Sequence, residues 1–466
     1  MPSTEACPDV RPLMPITAAS LGCARFKERY RLKSAYLAGA MYKGIASKEL
    51  VVAMGRSGLM GYLGTGGLRL DRIESDIQFI RSGLAADRPY GMNLLCDLSR
   101  PQTEEQTAAL FLKHGVRFVE AAAYVLMTPS LVWYRLKGIN RRADGQVETP
   151  NQVLAKISRP EVATSFLQPA PEAIVRQLVE RGRLTAEEAE LSRSIPMASD
   201  LCIEADSGGH TDRGIACVLM PVMLSLRDEL AARYGYREKI PVGAAGGIGT
   251  PNAAAAAFVM GADFILTGSI NQCTVEAGTS SAVKDMLQTA HVQDTAYAPA
   301  GDMFEIGAKV QVFKKGVLFP ARANKLYELY QRYNSIDEID PKTKNQIETK
   351  YFGRSFDDVW TETKAHYGRS GKTNEELERS PKEKMALIFR WYFAHSTRLA
   401  LSGSEEGKLD YQIHCGPALG AFNRWVKGTE LEPWQNRNVA RIAERLLEGT
   451  AQFLSDRFSH LATGTA

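Results

Sequence analysis

The sequence predicts a (β/α)8 barrel, and three observations carry that prediction. From Ser34 to about Gly268, short apolar β-like runs alternate with helix-length amphipathic stretches. There are eight such runs, and most of them end in glycine or in a polar residue. Alternation of this kind marks βα units around a parallel sheet. Eight units within roughly 250 residues match a closed barrel in size, although a doubly wound open sheet shows the same alternation. Strand count and glycine placement favour the barrel.

In chain order, the first run, 34–39 (SAYLAG), leads into Gly39, Ala40 and Met41, and the second, 59–63 (LMGYL), into Gly64-Thr65-Gly66-Gly67. The third, 89–94 (PYGMNL), delivers Asn93, the fourth is 117–122 (RFVEAA), and the fifth, 152–157 (QVLAKI), ends at Lys156. The sixth, 201–206 (LCIEAD), runs into Asp206-Ser207-Gly208-Gly209-His210. The seventh, 241–245 (PVGAA), and the eighth, 263–267 (DFILT), continue into Gly246-Gly247-Ile248-Gly249 and Thr267-Gly268-Ser269. Between them, helices are expected over 103–114 and over 252–260, the latter with Pro251 where a first turn tolerates it. Thr185 and Glu188 have capping-box spacing and open a further helix before the sixth run. Residues 137–150 read as a polar, basic loop. Beyond about Ala300 the texture turns to charged helical stretches that hold four of the five tryptophans, Trp360, Trp391, Trp425 and Trp434. The expected organisation is a barrel domain over 1–300 and a mostly helical extension over 301–466.

Composition narrows the function classes. With 57 basic and 53 acidic side chains the net charge is only +4, which argues against nucleic acid as the main partner and leaves an acidic protein partner open. The seven cysteines, Cys7, Cys23, Cys96, Cys202, Cys217, Cys273 and Cys415, are scattered and never form a C-x-x-C pair. That pattern favours neither a disulfide framework nor a zinc site, so no metal is expected. The most apolar segment, 253–266, is broken by Gly261 and Asp263 and falls short of the roughly 20 residues of a membrane span. Glu5, Asp9 and Arg11 surround a proline-broken stretch unlike a signal peptide. A soluble, cytoplasmic protein with no membrane partner is the expectation.

In a barrel, chemistry sits at the C-terminal ends of the strands. AAGGIG followed one unit later by LTGS fits a phosphate site in which Gly246, Gly247, Gly268 and Ser269 present backbone N–H groups; the alternative is that these glycines only permit tight turns. A phosphate site joined to glycine at the first strand and an amide at the third suits flavin mononucleotide. Gly39, Ala40 and Met41 would back the ring, Asn93 would bond its polar edge, and Lys156 would place positive charge near N1 and O2. Lys156 could equally be a salt-bridged residue. His210, carried on Gly208 and Gly209, could orient a carbonyl or donate a proton, or could merely bond the loop or a cofactor oxygen. Asp206 could fix the tautomer of His210, while Glu204 has an equal claim to a structural role. His414 and Cys415 are adjacent, and adjacent residues rarely form a nucleophilic pair.

AGAM, EADSGGH, AAGGIG and LTGS resemble the flavin-dependent nitronate monooxygenase and enoyl reductase superfamily. The stretches TGSINQCTVEAGTS (267–280), DMFEIGAKVQVFKKGVLFPARANKLYELY (302–330) and DYQIHCGPALGAFNRWVKG (410–428) resemble the PfaD family, trans-acting enoyl reductases of polyunsaturated-fatty-acid and polyketide synthases. The resemblance covers about 34–454. It implies an FMN barrel that takes hydride from NADPH and reduces the α,β double bond of an enoyl chain on an acyl carrier protein. His210 corresponds to the active-site histidine, and Gly246, Gly247, Gly268 and Ser269 to the phosphate loops. The implied partners are acyl carrier domains of a polyketide or fatty acid synthase; a homodimer is left open beside them. Two other readings stand beside it: a nitronate-oxidising flavoenzyme, and a non-catalytic protein that docks carriers. Lys314, Lys315, Arg322 and Lys325 are the cations expected to meet an acidic carrier, the alternative being a solvated basic face with no partner. No residue is assigned to choosing NADPH over NADH.

Overall fold

The computed structural model describes residues 15–97, 100–369 and 373–463. Cys7 and the N-terminal residues Glu5, Asp9 and Arg11 lie outside them. Eight parallel strands close into a barrel: β1 Tyr36–Ala38, β2 Met60–Leu63, β3 Gly91–Leu95, β4 Phe118–Ala122, β5 Gln152–Ile157, β6 Asp200–Glu204, β7 Val242–Ala245 and β8 Ile265–Thr267. Each strand pairs with its sequence neighbours, and β1 closes the ring on β8 through Tyr36↔Ile265 and Ala38↔Thr267. The expected barrel is therefore the observed one.

Alternation along the strands decides what fills it. Leu37, Met60, Tyr62, Leu154, Cys202 and Leu266 form one buried cluster with Phe26 and Tyr30 from the helix Ala24–Tyr30. The Phe26 ring stacks on Phe264 at 4.1 Å, and the Tyr30 hydroxyl donates to Asp200 at the start of β6. These aromatics plug the N-terminal end, so the open end lies where the strands finish.

The helix Ala186–Ser192 begins with the expected capping box: Glu188 N–H donates to Thr185 Oγ1 at 3.1 Å, and Thr185 N–H to Glu188 Oε2 at 2.7 Å. The same Glu188 carboxylate accepts Gly138 N–H at 2.6 Å and so ties down the basic excursion. That excursion carries a small hairpin, Asn140–Arg141 against Val147–Glu148, and Gly145 in its turn has φ 80°. Thr185→Ala should cost about 1 kcal/mol, the usual value of an N-cap, read as a lowered urea midpoint at unchanged slope.

Beyond the barrel, β9 Thr295–Pro299 and β10 Lys309–Phe313 form an antiparallel sheet whose third member is the two-residue strand Gly209–His210. A second core follows, in which Phe304, Val310, Val312, Phe319, Phe389 and Phe393 pack together. The chain then returns to the main core through Ile413, Leu419, Phe422, Ile442 and Leu446, and the helix Val439–Thr463 packs on the helix Pro251–Val259. No helix among the described residues is long and apolar enough to cross a membrane.

Candidate active site

The strands end in a cavity of about 1510 Å³, roofed by the helical region. Gly39, Ala40, Met41, Asn93, Lys156, Gly208, Gly209, His210, Gly246, Gly247, Gly268 and Ser269 all line it, so the residues expected to hold the flavin and the expected histidine face one space.

On one side lie the loops after β7 and β8. Gly246 and Gly247 have φ of 86° and 73°, a backbone that side-chain-bearing residues rarely adopt. A Cβ on Gly246 would come within 2.5 Å of Ala205 O. At Gly247 and Gly268 a Cβ would meet no protein atom within 4 Å, so their backbones face open cavity. This is a cradle that side chains would fill, and it fits a flavin phosphate. Across it, Gly416 N–H donates to Ser269 Oγ at 3.0 Å, and a Cβ on Gly208 would lie 2.7 Å from that same nitrogen. The returning C-terminal segment thus closes on the β6 and β8 loops.

The floor is a buried charge network. Lys156 Nζ lies 2.9 Å from Glu204 Oε1 and 3.9 Å from Glu120 Oε1. Glu120, at 1% exposure, also accepts Ala40 N–H at 3.1 Å, and Asn93 Nδ2 donates to its backbone oxygen at 3.0 Å. Burial works against the Lys156 ammonium, but Glu204 and Glu120 outweigh it and raise its pKa, which keeps it charged. Burial pushes the Glu120 carboxyl up, against Lys156. Lys156 is both salt-bridged and at the mouth. Asn93 sits mid-strand with its amide nitrogen already committed to Glu120.

His210 is held by strand pairing, Gly209↔Gln311 and His210↔Val310, and the positive φ of Gly209 (90°) sets the bend before it. Its Nε2 lies 2.9 Å from Asp302 Oδ1. Burial disfavours the imidazolium, yet Asp302 and Glu204 more than compensate and raise its pKa above the usual 6.5. Asp206 does not reach it: Asp206 accepts from Thr211 Oγ1 at 2.7 Å and from the Tyr297 hydroxyl. The tautomer-fixing carboxylate is Asp302 instead, brought in from 92 positions away. His414, whose Nε2 lies 2.9 Å from Gln412 Nε2, faces the same cavity; burial, and then His210, lower its pKa to about 4. It is a neutral neighbour, and the buried Cys415 has its pKa raised, so the two form no nucleophilic pair. Glu120, Asp302 and His414 are the site residues that sequence reasoning did not place there.

Residues 32–303 match the family described as "Nitronate monooxygenase". The chain belongs to the nitronate monooxygenase family. Within it, the resemblance to synthase-associated enoyl reductases is borne out by the relatives. The chain is 59% identical over 446 residues to "Polyketide biosynthesis protein PksE" of Bacillus subtilis (strain 168), covering 96% of this chain and 58% of that one. It is 43% identical to a polyunsaturated fatty acid synthase polypeptide of Thraustochytrium sp., covering 90% of this chain and 28% of the other. The chain therefore spans little more than half of the first relative and under a third of the second. Among solved structures, the enoyl reductase domain of MlnA from the macrolactin cluster of Bacillus amyloliquefaciens superposes with TM-score 0.92 at 46% identity, covering 95% of this chain and 99% of that one. FabK from Thermotoga maritima, at 17% identity and TM-score 0.55, shares the fold. Residues 333–411 of this nitronate monooxygenase-family chain also match a helical segment described as "[Acyl-carrier-protein] S-malonyltransferase, inserted helical domain".

Proposed function

We propose that the protein is an FMN- and NADPH-dependent enoyl reductase acting in trans on enoyl thioesters carried by acyl carrier domains of a polyketide or polyunsaturated-fatty-acid synthase, in the cytoplasm. The observation that carries this reading is the convergence of the glycine cradle, the Lys156 network and the His210–Asp302 pair on one cavity, in a chain 46% identical to an enoyl reductase domain. The division of labour goes with it: the barrel, 1–300, holds the flavin, and residues 301–466 supply the roof that receives the carrier-borne chain.

Gly246, Gly247, Gly268 and Ser269 hold the phosphate through backbone and hydroxyl donors. Gly39, Ala40 and Met41 would take the flavin ring, and Lys156, kept protonated by Glu204 and Glu120, would be the cation on that side of it. FMN, when bound, supplies the hydride that reaches the β carbon of the enoyl group. As negative charge moves to the thioester oxygen, the free Nδ1–H of the His210 imidazolium either donates a hydrogen bond to that oxygen or delivers its proton to the α carbon.

Activity should depend on pH through His210. Because its folded-state pKa is raised, the stability gained from the Asp302 pair is complete below pH 6.5 and fades as pH rises through the raised value; the proton-donating form fades over the same range. Asp302→Asn removes the raising charge and should move the alkaline limb of enoyl-driven reoxidation to lower pH. A limb that stays in place excludes Asp302 as its cause.

The experiment that tests the function is anaerobic: the purified protein should be yellow, NADPH should bleach it, and an enoyl thioester should restore the colour. Bleaching by a nitronate without NADPH, with colour returning on admission of oxygen and no response to the enoyl thioester, would favour nitronate oxidation. Absence of flavin would favour a docking role.

A further inference from the structure

The cations expected to meet an acidic partner are largely spent inside the chain. Arg322 is half-buried against Asp410 and over the Tyr351 ring, Lys325 pairs with Glu328, and Lys315 donates to Thr289 O at 2.7 Å. Uncommitted positive charge lies elsewhere, on the cavity rim next to His210. Arg213 and Lys309 both line the cavity, and the pairing of Gly209–His210 with β10 brings them together: Thr211 N–H donates to Lys309 O at 3.2 Å. Each sits on an aromatic face, Arg213 Cζ 5.5 Å from the Tyr297 ring and Lys309 Nζ 4.8 Å from the Tyr327 ring.

Every carboxylate near enough in sequence to neutralise them is engaged by another group. Asp212 is held by Arg159 at 2.7 and 3.0 Å and by Ser158 at 2.5 Å. Asp206 is held by Thr211 and Tyr297, Asp302 by His210, and Glu305 by Arg390. Among the described residues neither Arg213 nor Lys309 has a carboxylate within 4 Å. The arrangement is also built: Arg213 holds a left-handed φ of 58°, fixed by its N–H donating to Thr211 Oγ1 at 2.9 Å and by Asp206 N–H donating to Gly214 O at 2.8 Å. The backbone pairing sets both cations on one stretch of the cavity mouth, where a ligand with two negative charges can meet both. Burial and Arg213 lower the Lys309 pKa, which accords with an uncompensated pair.

We propose that Arg213 and Lys309 bind the 2′-phosphate of the reducing dinucleotide and are the residues that choose NADPH over NADH; this rests on the reductase reading above. A phosphomonoester is close to a dianion at neutral pH, its second pKa being about 6, and so matches two cations. The phosphodiester of a carrier's pantetheine arm carries one charge and matches the pair less well. Arg213 lies three residues past His210 on the loop that leaves its strand, and Lys309 on β10 faces Thr211, so a phosphate held there lies beside the path into the site without occupying it.

The test uses the flavin-loaded protein and two probes, adenosine 2′,5′-bisphosphate and AMP, titrated by calorimetry, with flavin bleaching by NADPH and NADH in parallel. The parent should prefer the bisphosphate, and Arg213→Gln with Lys309→Gln should cut that preference by about 10–100-fold, as losing charge-assisted bonds to a phosphate implies. The NADPH-to-NADH ratio for bleaching should fall in step, and Arg213→Lys with Lys309→Arg should restore most of it. Equal binding of both probes by the parent, or an unchanged preference in the double variant, overturns the assignment. So does a double variant that instead loses discrimination between phosphopantetheine and pantetheine thioesters. If the bisphosphate preference behaves as expected but NADPH bleaches nothing, the phosphate site stands and the reductase reading fails.

Discussion

His210→Ala should leave the protein yellow and reducible by NADPH, yet slow its reoxidation by an enoyl thioester by about 10²–10⁴-fold, the usual worth of a placed general acid. The ring's two nitrogens differ in what they meet. Nε2 is occupied by Asp302 at 2.9 Å, while Nδ1 has no hydrogen-bond partner among the described residues and is the nitrogen left to face a substrate. The side chain is 47% exposed, and neither the glycine cradle nor the Lys156 network uses it, so its removal should spare flavin binding. Stopped-flow traces separate the two half-reactions. A variant that reoxidises at the parent rate would make His210 a structural residue and require another proton source, whereas His210→Asn, which can still donate a hydrogen bond but not a proton, should fall between.

Gly247→Leu should yield folded, colourless protein. A Cβ there meets no protein atom within 4 Å, so the first cost to the fold is the left-handed backbone, on the order of 1–2 kcal/mol. The added side chain projects into the open cradle and takes the place of a phosphate. Gly268→Ala probes the partner loop with less bulk: a Cβ there meets no protein atom within 4 Å, and partial flavin loss is expected. Absorbance at the flavin maximum per folded protein reads both. A full flavin complement in a folded Gly247→Leu variant would refute the phosphate assignment.

The barrel was legible because each strand is a short apolar run stopped by glycine or a polar residue, and all eight were located to within about two residues. The glycine cradle was legible for the same reason. Glu120 was not: in VEAA it looks like one acid on a buried strand, and only closure of the barrel points it at Lys156. Asp302 was hidden by distance, since the His210 pairing depends on β10, a strand inside a region that reads as mostly helical. KVQVF does alternate like a strand, and that was the available signal. The hairpin at 137–150 was announced by Asp144-Gly145, a dipeptide that turns readily.

The small sheet that seats His210 has a consequence for the order in which the protein forms. His210 pairs with Val310, Val312 bridges His414, and Gly416 N–H reaches back to Ser269, so the mouth is stitched by residues spread over some two hundred positions of chain. Ring closure of β1 on β8 is also long-range. Contacts of this separation form late, because loop closure must be met before they repay it. During synthesis the barrel strands therefore emerge well before the segment that finishes the site, and the nascent domain has eight strands and no completed mouth. The site is complete only after residues near 416 and the closing helix 439–463 have left the ribosome, and a chain halted before that point should present an unfinished mouth to chaperones.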